Sequence, residues 1–268
     1  MRRLTLGYLT LFGSSQVEVI DAAAATGFRS VGLRVHERHA GDGFPFPVPG
    51  NRQRLNDIKS RLAASDVFPS SITGRFLVPG TTSDELAALV EVGAELNSPQ
   101  ILVNSDDPDE QRTIDNIARL AAYAATAGIK VGIEFVPFHS IRSLPAALRI
   151  AAATGAHNVG LILDVLHLSR SGGHPADIAS IPLGLIHYAQ ICDARAEMPS
   201  SPEACKAESR TGRLYPGEGA LPLDDFLRSL PPDCEVEVEV PNAGDAPLPP
   251  LVHAARTRAA FDRVMQGH

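Results

Sequence analysis

The sequence lacks the features typical of membrane-spanning, disulfide-stabilised or nucleic-acid-binding proteins. No apolar run approaches the ~20 residues of a membrane span, and no lysine- or arginine-rich block interrupts a chain of net charge −7. A protein that neutralises many phosphates needs a basic face, so we expect neither nucleic acid nor a membrane as partner. The three cysteines are odd in number and follow no CxxC spacing, which favours a reducing compartment.

The first residues superficially resemble a signal peptide, because two arginines precede a short apolar run. Thr5, Gly7 and Thr10 interrupt that run, and no small-residue cleavage site follows it. We therefore interpret it as a first β-strand and expect a cytoplasmic protein. No repeat, linker or low-complexity tract divides the chain, so we predict one domain over residues 1–268.

Strand-like and helix-like segments alternate along the whole chain. The predicted strands are Leu4–Leu9, Ser30–Val35, Pro69–Thr73, Gln100–Asn104, Lys130–Phe135, Val159–Asp164, Leu185–Asp193 and Glu235–Val240. The predicted helices are Gln16–Thr26, Arg52–Ala64, Ser83–Asn97, Asp109–Ala127, Leu144–Ala153, a weaker 174–180 segment, Leu223–Leu230 and Leu251–Met265.

Eight β/α units match an α/β fold of the (β/α)₈ TIM-barrel type, which typically has ~250 residues. A doubly wound sheet is the alternative. It usually has fewer strands, and no glycine-rich phosphate loop follows the first strand of this chain.

Oxygen-bearing side chains end four successive predicted strands: Glu134, Asp164, Gln190 and Glu239. A carboxylate at the end of a buried strand is costly unless it is paired or bound to a metal. Because the carboxyl ends of barrel strands meet at one end of the barrel, we predict that these side chains converge on one divalent cation. An all-oxygen set favours Mn²⁺ or Mg²⁺, with Co²⁺ and Zn²⁺ as further possibilities. Taken singly, each residue has a structural alternative, such as an ion pair or a main-chain hydrogen bond.

Glu235 and Glu237 alternate onto the same face of the eighth strand as Glu239. Glu239 is nearest the carboxyl end, so we expect it alone to reach the site. The other two are expected nearer the barrel bottom or in ion pairs that face the helices.

Further candidates lie close to the ends of predicted strands. His167 follows Asp164 by three residues and is placed to hydrogen-bond a substrate oxygen, with a capping role as the alternative. Arg210 and Arg213 are expected in the loop after the seventh strand, and Arg75 follows the third. Arginine binds carboxylate or phosphate with two parallel hydrogen bonds, so we predict substrate contacts for these three, with surface ion pairs as the alternative.

A set of short motifs carries a family resemblance. The motifs are Glu134 in IEF, Asp164-Val-Leu-His167, His187-Tyr-Ala-Gln190-Ile-Cys-Asp193, the segment from Arg213 to Gly219, Glu237-Val-Glu239-Val-Pro241, and the early run from Gly27 to Arg34. Together they resemble the sugar phosphate isomerase/epimerase superfamily of xylose isomerase-like TIM barrels.

The resemblance implies that Glu134, Asp164, Gln190 and Glu239 are metal ligands and that Glu134 and Glu239 also act as an acid/base pair. Many members have histidine at the position of Gln190. Glutamine there is a feature of members that resemble 3-dehydroshikimate dehydratases. A DNA-repair relative, endonuclease IV, needs extra histidines for three metals, and this chain has none on the C-terminal side of Asp193 in that motif.

The resulting hypothesis is a metal-dependent isomerase or epimerase of a small sugar, sugar phosphate or keto-polyol. Deprotonation beside the carbonyl would give an enediolate, and return of the proton elsewhere would complete the reaction. If the substrate carries a β-hydroxyl group, the same enolate could expel it, so a dehydratase of the 3-dehydroshikimate dehydratase type is the first alternative. A non-catalytic sugar-binding barrel is the second. The arginines favour an anionic substrate, and a homo-oligomer stays open.

Overall fold

Parallel strands form a closed barrel in the computed structural model, which describes residues 2–266 apart from the side chain of Leu183. Within these residues the strands are β1 (Leu4–Leu6), β2 (Ser30–Arg34), β3 (Phe68–Thr73), β4 (Gln100–Val103), β5 (Lys130–Glu134), β6 (Val159–Asp164), β7 (Ile186–Ile191) and β8 (Val236–Val238). Each strand pairs with its neighbours in chain order, and β8 closes the barrel against β1. The predicted (β/α)₈ barrel is confirmed.

Helices connect the strands on the outside of the barrel. They are α1 (Gln16–Thr26), α2 (Arg52–Ala64), α3 (Ser83–Glu95), α4 (Glu110–Thr126), α5 (Leu144–Ala153), α6 (Val165–Arg170), α7 (Pro202–Thr211), α8 (Leu223–Ser229) and α9 (Pro250–Gln266). Local sequence explains several ends. Ser15 and Thr82 form capping boxes at the starts of α1 and α3, and α1 stops where Gly27 adopts a φ of 78°. None of the described helices is long and apolar enough to cross a membrane.

Two helices near the strand ends were not predicted from the sequence. The short helix α6 starts directly after β6, and Asp164 caps it. Helix α7 lies in the connection after β7, so Arg210 belongs to its last turn and not to a loop. Ser201 caps α7 and Pro202 takes its first position. This start signal was available in the sequence, but α7 has few apolar residues and only Ser209 of it is buried.

Six strands end earlier than predicted at their carboxyl ends, whereas β3 and β6 end as predicted. Residues Tyr8–Leu11 form a 3₁₀ turn and do not extend β1. The segment 174–180, predicted as a weak helix, is also a 3₁₀ turn, over Pro175–Ser180. Strand β8 ends at Val238, so Glu239 lies just beyond it. These early strand ends allow the chain to turn across the barrel opening.

The largest hydrophobic core contains residues of both the strands and the surrounding helices. A separate small cluster of Leu102, Ile162 and Tyr188 is also fully or almost fully buried. The Tyr188 hydroxyl on β7 lies 3.5 Å from Ser71 Oγ on β3. Since these strands are not neighbours, their side chains meet inside the barrel, below the polar groups at its carboxyl end.

Candidate active site at the carboxyl end of the barrel

The carboxyl ends of the strands, here called the mouth, bring the predicted ligands together. Glu134, Gln190 and Glu239 line one cavity, and each is at most 9% exposed. Asp164 lies beside them and is fully buried. One ligand atom each from Glu134, Asp164 and His167 lies within 4.8 Å of the others. Residues from different strands, far apart in the chain, therefore form one acidic cluster.

Glu134 is the last residue of β5 and accepts a hydrogen bond from Asn104, whose Nδ2 lies 2.7 Å from its Oε2. Burial, followed by repulsion from Glu239 and Asp164, raises the pKa of Glu134 to about 8. A carboxyl group with such a pKa gives up its proton near neutral pH when a cation approaches. It is also suited to proton transfer at neutral pH.

Asp164 has a different environment from Glu134. Its Oδ1 accepts the backbone N–H groups of Leu166 (2.7 Å) and His167 (3.1 Å), and its Oδ2 accepts Nη1 of Arg213 at 2.7 Å. Burial alone would raise the pKa of Asp164, but Arg213 and His167 outweigh burial and lower it. Asp164 is therefore the carboxylate of this cluster that stays ionised most readily.

Arg213, predicted to contact the substrate, lies inside the ligand cluster. Its side chain is 1% exposed and pairs with Asp164 and, through Nη2, with Oε2 of Glu239 at 3.4 Å. Its Nε donates to the Ser209 carbonyl at 2.9 Å. Three ionised carboxylates and one guanidinium leave a charge of about −2, which one divalent cation would neutralise.

Gln190 supplies the observation that tests whether these residues suit a cation. Its Nε2 donates to Oε1 of Glu237 at 2.9 Å, while its own Oε1 is buried without a hydrogen-bond partner among residues 2–266. A buried acceptor without a hydrogen bond lowers the free energy of unfolding by about 1–3 kcal/mol. A free amide oxygen beside three carboxylates is a donor set that fits a hard divalent ion.

Two histidines face the same cavity. Burial lowers the pKa of His167 to about 4, so its ring is neutral at pH 7, and its Nδ1 has no partner in the described part of the chain. His139 was not singled out from the sequence. Its Nδ1 lies 2.5 Å from Oδ1 of Asp106, and its ring packs against Phe76 and Phe138. Because Asp106 occupies Nδ1, Nε2 is the ring nitrogen of His139 that is left to contact a substrate.

The arginines divide into two groups. Arg210 lines the cavity, and no described residue forms a hydrogen bond or ion pair with its guanidinium. Burial, followed by the nearby charge of Arg38, lowers the pKa of Arg210. Arg75 lies outside this lining, because Glu37 and Glu85 bind its guanidinium.

Arg38, like Arg210, is a cation at the mouth without a carboxylate partner among the described residues, and we call both arginines unmatched. Unlike Arg210, Arg38 was not singled out from the sequence. Its Nη2 donates to the hydroxyl of Tyr8, and its Nε is buried without a partner among the described residues. Its guanidinium lies 5.4 Å from the ring centroid of Tyr8 and 5.9 Å from that of Phe76. It lies in the loop after β2, where no motif distinguishes it from the other arginines of the chain.

A family model for the xylose isomerase-like TIM barrel matches residues 20–260. The chain belongs to the xylose isomerase-like TIM-barrel family. A 3-dehydroshikimate dehydratase of Pseudomonas aeruginosa is 27% identical over 78% of this chain and 33% of its own length. An inosose isomerase of Halalkalibacterium halodurans is 26% identical over 54% of the chain and 53% of its length. The chain thus spans about a third of the length of the dehydratase and about half of the length of the isomerase.

Solved structures show the same fold. The crystal structure of the IOLI protein with a bound zinc atom superposes with a TM-score of 0.81 at 17% identity, over 99% of this chain and 98% of that one. Xylose isomerase-like barrels thus share the architecture across low identity, while the two relatives above carry out different reactions. The reaction of this member has to be argued from its own side chains.

Proposed function

We propose that this xylose isomerase-like barrel is a metal-dependent dehydratase of a cyclic, polyhydroxylated keto acid of the 3-dehydroshikimate type. The observation that carries the proposal is the combination of an unsatisfied Gln190 amide oxygen with two unmatched arginines at one cavity. The amide oxygen and carboxylates suit a cation, and the arginines suit a substrate carboxylate. The similarity to a 3-dehydroshikimate dehydratase supports the same substrate class.

Glu134, Asp164, Gln190 and Glu239 would hold the divalent ion, with His167 close enough to join them. A bound ion would polarise the substrate carbonyl and acidify the neighbouring C–H bond. Oxygen donors favour Mn²⁺ or Mg²⁺, whereas a contribution from the His167 nitrogen would favour Co²⁺ or Zn²⁺. The zinc atom bound by the IOLI protein, which shares this fold, supports a divalent ion as the metal.

Arg38 and Arg210 would bind the substrate carboxylate. Arg213 already offsets part of the acidic cluster, so a cation would leave the ligand set close to neutral. An anion would then meet two cationic side chains and little net repulsion. Arg75, whose charge is matched by Glu37 and Glu85, is expected to contribute less than the sequence suggested.

The proton transfers can be assigned to groups at the cavity. Glu134 or Glu239 would take the proton next to the carbonyl, since burial raises the pKa of both side chains above the ordinary value. His139, held through Nδ1 by Asp106, would donate a proton to the departing β-hydroxyl, which leaves as water. One C–H bond and one C–O bond break, and a C=C bond forms.

An isomerase is the second candidate, and the similarity to an inosose isomerase favours it. An inosose is also a cyclic polyhydroxylated ketone, but it has no carboxylate. The same carboxyl groups could return the proton at another position without loss of water. The two unmatched arginines would then have no anion to bind, which is why we place this reaction second.

The test is a comparison of two substrates with the Mn²⁺-loaded protein. With 3-dehydroshikimate we expect loss of water and an aromatic product that absorbs in the ultraviolet. With an inosose in deuterated water we expect no substantial incorporation of deuterium. Deuterium exchange into the inosose without turnover of 3-dehydroshikimate would support the isomerase, and inactivity on both would contradict both candidates.

A further inference from the structure

Glu237 occupies an unusual position inside the barrel. It lies in the middle of β8, it is 1% exposed, and it is two residues before Glu239. Its Oε1 accepts the hydrogen bond from Gln190, whereas its Oε2 has no partner among the described residues. A buried carboxyl group with one hydrogen bond destabilises the fold. Glu237 therefore contributes little stability that would explain its position.

Two glycines, one directly after β1 and one on β2, leave the space that Glu237 occupies. A Cβ atom on Gly32 of β2 would lie 2.6 Å from Oε2 of Glu237, and one on Gly7 would lie 3.0 Å from Oε1. Neither glycine has a positive φ, so backbone conformation does not require glycine at these positions. The residues around Glu237 thus accommodate a side chain that the hydrophobic packing does not need.

The hydrogen bond between Glu237 and Gln190 explains why a carboxyl group is buried at this position. A glutamine amide carries an oxygen at one corner and an NH₂ group at the other, and its two orientations have the same shape. Because Glu237 offers an acceptor, it holds the NH₂ group and turns the oxygen away from itself. Gln190 lines the mouth cavity, and this oxygen is the unsatisfied acceptor of the cluster.

We infer that Glu237 is a positioning residue that holds the Gln190 amide with its oxygen directed at the cation site. The inference rests on the proposed function, because it requires a cation at the mouth. It extends that proposal to a side chain which the sequence placed at the barrel bottom or against the helices. Groups that orient metal ligands typically change metal affinity about 10–100-fold when they are replaced.

The experiment measures Mn²⁺ affinity by titration calorimetry without substrate. We expect Glu237→Met, which has similar volume but no acceptor at that position, to weaken Mn²⁺ binding by about 10–100-fold. Glu237→Gln keeps an acceptor oxygen at the same distance from the strand and should bind Mn²⁺ nearly as well as the unmodified protein. Glu235→Met is the matched control, because Glu235 directly precedes the same strand and contacts Thr5 and Ser70 but not Gln190.

The outcomes separate this inference from the proposed function. Glu237→Met with unchanged Mn²⁺ affinity would overturn the positioning role and leave the proposed function intact. An unmodified protein that binds no divalent ion would overturn both. If Glu237→Met does not fold, Glu237→Asp replaces it, since a side chain shorter by one C–C bond, about 1.5 Å, loses the contact. Equal affinity of the Asp and Gln variants would then contradict the inference.

Discussion

Strand β8 and its flanks carry three glutamates on one face, and the two ends differ in how their polar atoms are used. At the amino end, or bottom, Glu235 accepts hydrogen bonds from Thr5 and Ser70 and pairs with Arg3 at 3.2 Å. Glu237, in the middle of the strand, has one unused oxygen, and Gln190 at the mouth has an unused amide oxygen. Glu235 at the bottom is satisfied by other residues of the protein, as expected for a structural role, whereas the mouth keeps the Gln190 oxygen free for a ligand.

The same contrast applies to the charges. Arg3 at the bottom has a carboxylate partner, but Arg38 and Arg210 at the mouth have none among the described residues. Burial and mutual repulsion raise the pKa of Glu134 to about 8, so the metal-free mouth is electrostatically unfavourable. Such strain at one end of a fold is typical of functional sites, which sacrifice stability for binding.

Removal of metal should have the largest effect, and it should be confined to the mouth. We expect exhaustive dialysis against EDTA to abolish activity, and Mn²⁺ or Mg²⁺ to restore it better than Zn²⁺. Circular dichroism should show that the barrel persists, because the bottom needs no ligand. Full activity after chelation would contradict the cation site.

Neutral replacements of the mouth glutamates should come next. Glu134→Gln and Glu239→Gln should each reduce turnover by ~10²–10⁴-fold, the usual loss of general acid–base catalysis. The control Glu235→Gln should leave turnover unchanged and lower the free energy of unfolding by about 1–3 kcal/mol, because the bottom loses a charged acceptor. Near-normal turnover in either mouth variant would remove its acid/base role.

His139 should affect water loss but not the preceding proton removal. We expect His139→Asn to reduce product formation from 3-dehydroshikimate by about 10²-fold, while deuterium exchange beside the carbonyl continues. His39→Asn is the control, because His39 also lies near Asp106 (3.4 Å) but does not line the cavity. Equal loss of exchange and product would contradict a role as proton donor to the leaving hydroxyl.

The smallest expected effects concern substrate binding by the unmatched arginines. Arg38→Ala and Arg210→Ala should each raise KM for an anionic substrate about tenfold or more, since hydrogen bonds to charged groups contribute about 1.5–3 kcal/mol. Arg75→Ala should leave KM close to its original value, because Glu37 and Glu85 already bind that side chain. A KM unchanged in both mouth variants would remove the argument for an anionic substrate.

Much of the fold and part of the site followed from local sequence. Apolar runs and helix caps predicted the strands and most helices, since both signals lie within a few residues. The four acceptors Glu134, Asp164, Gln190 and Glu239 were recognisable because each lies at or next to the carboxyl end of a buried strand, and the barrel brings strand ends together. Helix α6 was missed because it is short, and helix α7 because it has few apolar residues.

Only the tertiary structure decided what surrounds those acceptors. Arg213 lies between Asp164 and Glu239, Arg38 meets Tyr8, and His139 meets Asp106, although these partners are up to 49 residues apart in the chain. No local pattern encodes such contacts, because loops of irregular backbone bring the side chains together. The sequence by itself determined the barrel and the residues that end its strands. Packing across the barrel decided which polar atoms are satisfied and which stay free for a ligand.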